Sequence, residues 1–474
     1  MPSVPARPSA PERAAGTMGM TWAETRRKAA HVAALWPALL LPFMTPLQAM
    51  GTAFLLVLMN VFVLPRAAKG LYRAEASGMG ALEIILYPSA LMACVAAFGV
   101  DGGGKPGWYL PVGAAWFALA VVDAFIGIAC RLFPKGPALP WNRRKPILGV
   151  VLGTLASAFP AAALAHLALH PLSTQDWVAM GLLLAVAVLA ETAWFGVADN
   201  LVIPFFLCVL IPLVPNPLAD LAQSDPASAL SSLSSLSSLS SMTWGWALVP
   251  IGFGVLAWSG RMLTLGGAVL GSIMALLLIL ANPYLFLFLG GFFALGNLAT
   301  RFGFARKQAL RIAEARNGRR GAAEVFGAMG LAAWMTPLVH LSEGAGPALL
   351  VCIAPLIAKT MDTVSSEMGK ALGGKTLSLR TFRPVPPGTE GGVSLGGTLC
   401  GLAAAGIIAA VVLPLGWGGW TDVLVLLAIA LAANVFESYW GEYAARRGMD
   451  EGPHTNVLMT LVAAVLAWLY WFVA

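Results

Sequence analysis

Long apolar runs separated by short polar or basic stretches recur from about residue 29 to about residue 473. Most of the runs fall within the roughly 17–25 residues that a helix rising about 1.5 Å per residue uses to cross a hydrocarbon core about 30 Å thick. In the first half they fall at about 29–46, 48–64, 81–99, 108–130, 146–169, 177–195 and 197–214. In the second they fall at about 244–259, 262–281, 283–300, 322–340, 346–361, 395–415, 421–440 and 456–473. The pattern predicts an all-α, polytopic helical membrane protein with about fifteen transmembrane helices in two bundles. Residues 216–243 contain SALSSLSSLSSLSS and read as a low-complexity Ser/Leu linker. They divide a membrane domain at 21–215 from another at 244–474. Residues 1–20 lack an apolar signal-peptide core and read as a disordered cytoplasmic tail.

Composition agrees. Of 474 residues 58% are hydrophobic and 11% charged, and the mean hydropathy is +0.79. That excludes a soluble globular domain, a disordered chain and a disulfide scaffold. The five cysteines are scattered through apolar runs without metal-type spacing, and the five histidines are equally dispersed. The net charge of +7 is explained by topology before nucleic acid. With the N-terminus inside, every Lys and Arg except Lys105 falls in the tail, in an inner loop or at an inner span end. The expectation is an integral protein of the inner (cytoplasmic) membrane, N-terminus cytoplasmic, with no nucleic-acid partner and no obligate protein partner evident.

Charged groups at span ends carry the candidate chemistry. Asp123, Gly127 and Arg131 share one helical stripe, which suits either a metal–phosphate pocket or a structural Asp–Arg pair. Glu191 and Asp199 stand eight apart before Pro204, as a second acidic cluster or as helix caps. Arg27 and His31 are four apart at the opening of the first span, beside Lys28.

The second half is richer. A basic loop holding Lys307, Arg319 and Arg320 offers phosphate ligands, although the positive-inside rule explains most of its charge. In IAKTMDTVSSEMGKALGG, Asp362, Ser366 and Lys370 form an i, i+4, i+8 stripe, with Ser365 beside it and Glu367 about 100° round. Two carboxylates, two hydroxyls and two lysines within twelve residues suit Mg²⁺ and phosphate better than an apolar helix. The following loop, RPVPPGTEGGVS, offers Gly388, Thr389, Gly391 and Ser394 as an anion-binding nest. Glu437 lies near the inner end of its span and could complete the acidic cluster, and Asn456 is a possible partner in the last span.

These residues carry two resemblances. The first half shows R-K-x-x-H (Arg27, Lys28, His31), D-A-x-x-G with a following Arg (Asp123, Gly127, Arg131), K-x-x-x-G-x-x-x-G (Lys145, Gly149, Gly153) and E…D-N…P (Glu191, Asp199, Asn200, Pro204). Over about 22–215 it resembles the dolichol kinase and phytol kinase family, membrane enzymes that phosphorylate polyprenyl alcohols from CTP. The second half shows L-T-x-x-G-A, G-N-L-A-T-R-F-G, N-G-R-R-G, M-D-T-V-S-S-E-M-G-K, P-V-P-P-G-T-E-G-G-V-S and a late E-S-x-x-G. Over about 256–474 it resembles the phytyl-phosphate kinase family, which long carried only a domain-of-unknown-function label.

The resemblances imply a bifunctional isoprenoid salvage kinase. It would convert a prenyl alcohol of the phytol, geranylgeraniol or farnesol type to the monophosphate and then the diphosphate, with CTP as donor and Mg²⁺ as cofactor. Its partners would be membrane lipids, the prenyl substrate and the nucleotide. Asp123, Asp362, Glu367 and Glu437 would hold metal, with His31 or Asp199 as base. Arg27, Lys28, Arg131, Lys145, Lys307, Arg319, Arg320, Ser366, Lys370, Gly388, Thr389, Gly391 and Ser394 would bind phosphate or nucleotide. The alternatives are activity in the second half alone, or a transporter of an anionic lipid or metabolite.

Overall fold

A computed structural model describes residues 40–41, 43–63, 79–98, 109–140, 142, 145–168, 174–192, 199–210, 244–342, 344, 346–446 and 452–473. In the first half the helices are α1 (Pro46–Leu58), α2 (Met79–Phe98), α3 (Tyr109–Phe117), α4 (Asp123–Leu132), α5 (Ile147–Ala168), α6 (Thr174–Thr192) and α7 (Asp199–Leu210). In the second half α8 (Trp244–Ser259), α9 (Leu265–Ala281), α10 (Leu285–Arg301), α11 (Phe304–Ala309), α12 (Ala322–Trp334) and α13 (Thr336–Leu341) come first. Then follow α14 (Gly346–Leu372), α15 (Leu395–Ala409), α16 (Trp420–Ala445) and α17 (Gly452–Val473). Strands β1 (Thr376–Ser378), β2 (Pro384–Val385) and β3 (Gly392–Ser394) form a small antiparallel sheet of order β2-β1-β3 between α14 and α15.

Every apolar run in the described residues became a helix, because a backbone in lipid must satisfy its own hydrogen bonds. The first run, 29–46, lies almost wholly outside the described residues, as do the tail at 1–20 and the linker at 216–243. Seven described helices are long and apolar enough to cross a membrane, and five shorter apolar helices accompany them. The protein is thus an all-α, polytopic membrane protein.

Helix α14 is the hub. At 27 residues it spans roughly 40 Å, beyond the ~30 Å hydrocarbon core. It packs against α10, α12, α15, α16 and α17. The apolar run ends near residue 361, but the helix continues through DTVSSEMGKAL, since nothing in that stretch breaks it. It stops where Gly373 and Gly374 adopt φ +71° and +104°. This extension carries polar residues on a rigid helix, and Lys359, Asp362 and Glu367 stay buried along it.

The closest crossing is α14 with α15. A side chain at Gly401 would place its Cβ 1.9 Å from Ser365 Oγ and 2.6 Å from the Met361 carbonyl. At Gly397 it would lie 2.4 Å from the Ser365 carbonyl. This small-residue stripe lets two backbones meet where lipid supplies no hydrophobic drive. Gly149 and Gly153 do the same between α5 and α4, where an added Cβ would meet Cys130 and Ile126 backbone atoms at 2.5 Å.

One apolar core runs through both halves. Helices α2 and α7 pack on α12 and α13, and α2 also meets α17. The Phe205 ring sits edge-on to Phe326 at 5.3 Å and to Trp334 at 5.6 Å across that seam.

Candidate functional site

At the C-terminal part of α14 three helices are tied by polar groups. Lys359 Nζ donates to Asp362 Oδ2 at 2.5 Å and to Asn456 Oδ1 of α17 at 2.6 Å. Asn434 Nδ2 of α16 donates to Asp362 Oδ1 at 3.4 Å. Lys359, Asp362 and Asn434 are all buried. Burying an ammonium and a carboxylate is tolerable only because each finds the other and an amide.

One turn and a half further on stands a second ion-pair group. Glu367 accepts from Lys307 Nζ at 2.6 Å on one oxygen and from Lys370 Nζ at 3.1 Å on the other. Lys370 also faces Glu314 at 3.7 Å. Lys307 is 0% exposed and donates to the Ala299 and Thr300 carbonyls at 3.1 and 2.7 Å. The chain reverses after α10 through Gly303 at φ +61°, which brings Lys307 back under that helix as its C-terminal cap. Lys307 and Glu367 therefore fasten α10 to α14, and all three N–H bonds of the ammonium go to protein.

The loop between β2 and β3 closes over this end. Gly388 and Gly391 have φ +83° and +72°, and a Cβ at Gly391 would lie 2.5 Å from the Ser438 carbonyl. The loop thus lies directly on α16. Thr389 Oγ1 donates to the Pro386 carbonyl at 2.7 Å, and Ser394 Oγ accepts from Gly397 N at 3.3 Å as the N-cap of α15. Ser366 is exposed. A chain of bonds secures the sheet: Thr381 Oγ1 donates to Ser378 Oγ at 2.9 Å, which donates to Glu442 at 2.5 Å, which also accepts from Arg446 at 2.7 Å.

Glu390 is a residue the sequence reading passed over. A side chain at Gly441 would sit 3.9 Å from both Glu390 Oε2 and Glu437 Oε1, so the two carboxylates flank one spot on α16. Partial burial of its carboxyl holds Glu390 above the usual range; Lys370 pulls it down, while the charges of Asp362 and Glu314 push it up. Glu390, Glu437 and Asp362 thus feel one another across a single crevice. An acid inside a Gly-rich loop was the available signal. Among the described residues no three His, Cys, Asp or Glu are grouped so as to hold a metal ion. Mg²⁺ does not require that, since it keeps waters and substrate phosphates as ligands. Glu437 and Glu390 offer carboxylate oxygens of that kind beside Asp362, whose own oxygens already accept from Lys359 and Asn434, whereas Glu367 is enclosed by two ammonium groups.

Arg319 and Arg320 follow a tight turn in which Arg316, Asn317 and Gly318 have φ of 52°, 55° and 79°. Such residues off glycine cost of order 1–3 kcal/mol each. The turn sets Arg320 in a bridge with Leu263, its N–H on the Met262 carbonyl at 3.0 Å. Arg319 reaches the Leu263 carbonyl at 3.3 Å.

In the first half Lys145 pairs with Glu191 and donates to the Glu191 carbonyl at 2.7 Å, beside Asn142 on the Thr192 carbonyl at 3.0 Å. Lys145 thus closes the C-terminal end of α6. Asp123 is buried where a π turn, Ala118–Val122, joins α3 to α4. Arg131 lies two turns on, roughly 12 Å along the axis. Arg27, Lys28 and His31 lie outside the described residues, and so does the side chain of Asp199.

The family described as Integral membrane protein DUF92 matches residues 248–465. The chain is 37% identical to Protein VTE6, chloroplastic, of Arabidopsis thaliana over 161 residues, 33% of this chain and 48% of that one. It is 36% identical to an uncharacterized membrane protein of Synechocystis sp. over 156 residues, 32% of this chain and 59% of that one. An uncharacterized membrane protein of Methanocaldococcus jannaschii is 30% identical over 205 residues, 43% of this chain and 81% of its own length. The chain therefore spans about half the length of the first two relatives. No solved structure matches.

Proposed function

The chain belongs to the integral membrane family DUF92, and from that premise we propose that its second half transfers a phosphoryl group to an isoprenyl monophosphate, giving the diphosphate. The observation that carries this reading is the crevice at the C-terminal end of α14. There Glu390 of the glycine loop lies beside Glu437 across Gly441 and within the charges of Asp362 and Lys370. Homology to Protein VTE6 and the motif resemblance to phytyl-phosphate kinases support it.

The chemistry suits the residues. The nucleophile is an oxygen of the monophosphate, whose second pKa is about 6, so it is already ionised at neutral pH. It attacks the γ-phosphorus of a nucleoside triphosphate; that P–O bond forms, the β–γ bridge breaks, and the nucleoside diphosphate leaves. No general base is needed, and cations and alignment do the catalysis. Lys370 would neutralise phosphate oxygens, and one or two of the carboxylates of Asp362, Glu437 and Glu390 would hold Mg²⁺ together with the phosphates. Mg²⁺ bound there would offset the charge of the transferring group. Lys359, itself held by Asn456, and Asn434 fix Asp362 in place, and Lys307 fixes Glu367.

The first half would supply the monophosphate by phosphorylating the alcohol from CTP. An alcohol does need a base, for which His31 and Asp199 remain the candidates, with Asp123 at the metal. Arg27, Lys28, Arg131 and Lys145 would serve its phosphates. Fusion would keep the amphiphilic intermediate in one leaflet at high local concentration. The basic loops favour an inner-membrane protein with its sites facing the cytosol.

The test is purified protein in liposomes with Mg²⁺ and CTP, ATP, UTP or GTP. Phytol, geranylgeraniol, farnesol and their monophosphates are supplied separately, with products read by mass spectrometry. Diphosphate from monophosphates supports the second-half reading, and diphosphate from alcohols supports the fused one. Absence of any product with folded protein rejects both.

A further inference from the structure

We propose that the turn between β1 and β2, residues 379–383, docks on the bilayer surface at the C-terminal end of α16, with Phe382 set into the headgroup region and Arg380 and Arg383 on the phosphates of anionic lipid. The proposal goes beyond the kinase reading and stands whether or not the crevice transfers phosphate.

The turn is built to hold an aromatic ring outward. Phe382 has φ +53° and is 77% exposed. A phenylalanine rarely adopts left-handed backbone, and such strain persists only where the surroundings impose it. Here they do. The Phe382 N–H donates to the Ser378 carbonyl at 2.8 Å, the Ser378 N–H to the Arg383 carbonyl at 3.0 Å and the Thr381 N–H to Ser378 Oγ at 3.1 Å. Ser378 Oγ in turn donates to Glu442, which fastens the turn to α16. Apolar surface continues along the sheet, where exposed Leu377 of β1 is flanked by Pro384 of β2 and Val393 of β3.

Two observations assign the occupant. The first is the level of the turn. Helix α16 is long and apolar enough to cross a membrane, and Leu424, Leu431, Val435 and Tyr439 form an exposed stripe along it. The turn meets α16 one helical turn beyond Tyr439, where Ser378 reaches Glu442 and the Arg380 guanidinium lies 5.8 Å over the Tyr443 ring. It therefore stands at the end of a lipid-facing stripe, beside Tyr439, Trp440 and Tyr443, an aromatic set of the kind that gathers at membrane–water interfaces. The second is charge. Arg380 and Arg383 are exposed, and among the described residues neither is in an ion pair. Two cations flanking one exposed ring fit a surface of anionic headgroups over an apolar layer. Strand β2 leads from this turn into the loop of Gly388, Glu390 and Gly391, so the contact would fix the roof of the crevice relative to the bilayer.

The experiment uses the full chain with Phe382→Cys, labelled with an environment-sensitive nitrobenzoxadiazole dye and placed in lipid nanodiscs, both faces of which are open to solvent. Label on the free cysteines of the unaltered chain is the background to subtract. The bilayers are phosphatidylcholine alone or mixed with phosphatidylglycerol. A nitroxide near the top of the acyl chain quenches from the lipid side, and iodide quenches from water. In the mixed bilayer the nitroxide is expected to quench at least twice as strongly as iodide. That nitroxide quenching should be at least twofold greater with phosphatidylglycerol than without, a difference lost when Arg380→Gln and Arg383→Gln are added. Leu377→Cys, exposed on β1, takes the place of Phe382→Cys should that variant fail to fold. Quenching by iodide alone overturns the proposal, and so does quenching indifferent to phosphatidylglycerol or to the two arginine changes. Nitroxide quenching that appears only when an isoprenyl monophosphate is added, phosphatidylglycerol being without effect, would make the turn a substrate subsite and overturn the proposal as well.

Discussion

Replacing Lys307 with methionine removes a cation that the structure encloses completely while keeping its length and apolar stem. Three acceptors lose their donor: the Ala299 and Thr300 carbonyls and Glu367 Oε2. Two magnitudes compete. Neutral interhelical hydrogen bonds in membranes average about 0.6 kcal/mol, so three would amount to less than about 2. Breaking a buried ion pair by deleting one partner costs about 3–5 kcal/mol, because the other charge is stranded. Glu367 keeps Lys370 at 3.1 Å, which places the expected loss near the lower end, about 3 kcal/mol, or roughly 150-fold in the unfolding equilibrium. The assay is reversible unfolding in mixed detergent micelles followed by tryptophan fluorescence. A double-mutant cycle with Glu367→Gln should show coupling of about 1–3 kcal/mol, since the neutral amide no longer suffers from the missing cation. A loss under about 1 kcal/mol, or simple additivity in the cycle, would refute the claim that a buried ion pair fastens α10 to α14.

Three further outcomes follow from the geometry. Gly401→Val should destabilise by about 1–3 kcal/mol or abolish expression, because its side chain enters the space of Ser365 Oγ and the Met361 carbonyl; unchanged melting would mean the helices do not cross so closely. Gly391→Ala should lift the loop from α16 and cut diphosphate formation at least tenfold with little change in melting, since its φ of +72° and its 2.5 Å approach to the Ser438 carbonyl both exclude a methyl. Glu390 holds its proton more tightly folded than unfolded, so stability should fall as pH rises from the ordinary Glu range through its raised value; Glu390→Gln should flatten that part of the profile, and an unaltered slope would count against the crowded crevice.

Hydropathy located the helices because lipid leaves a spanning backbone no alternative, but it misjudged their ends. The run at 346–361 continues as helix to Leu372 because lipid contact sets where apolar residues stop, and glycine sets where a helix stops. The polar triad of Lys359, Asp362 and Asn456 was legible in part, through helical spacing and the lone amide in the last span. The fate of Lys307 was not: its capping of α10 depends on the reversal at Gly303, a tertiary event no local pattern reports. Glycines 397 and 401 were read past in favour of the loop before them, although small residues four apart are a packing signal in a membrane helix. Ser394 serves as an N-cap, a role visible in its position just before the last-but-two apolar run.

The central claim is that the crevice around Asp362 makes a diphosphate. Geranylgeranyl monophosphate should be incubated with Mg²⁺ and γ-labelled CTP, using the unaltered chain and Asp362→Asn, a change that keeps the volume and leaves an oxygen to accept from Lys359. The account predicts labelled geranylgeranyl diphosphate from the first and at least a hundredfold less from the second at matched thermal stability. Equal label from both would contradict it.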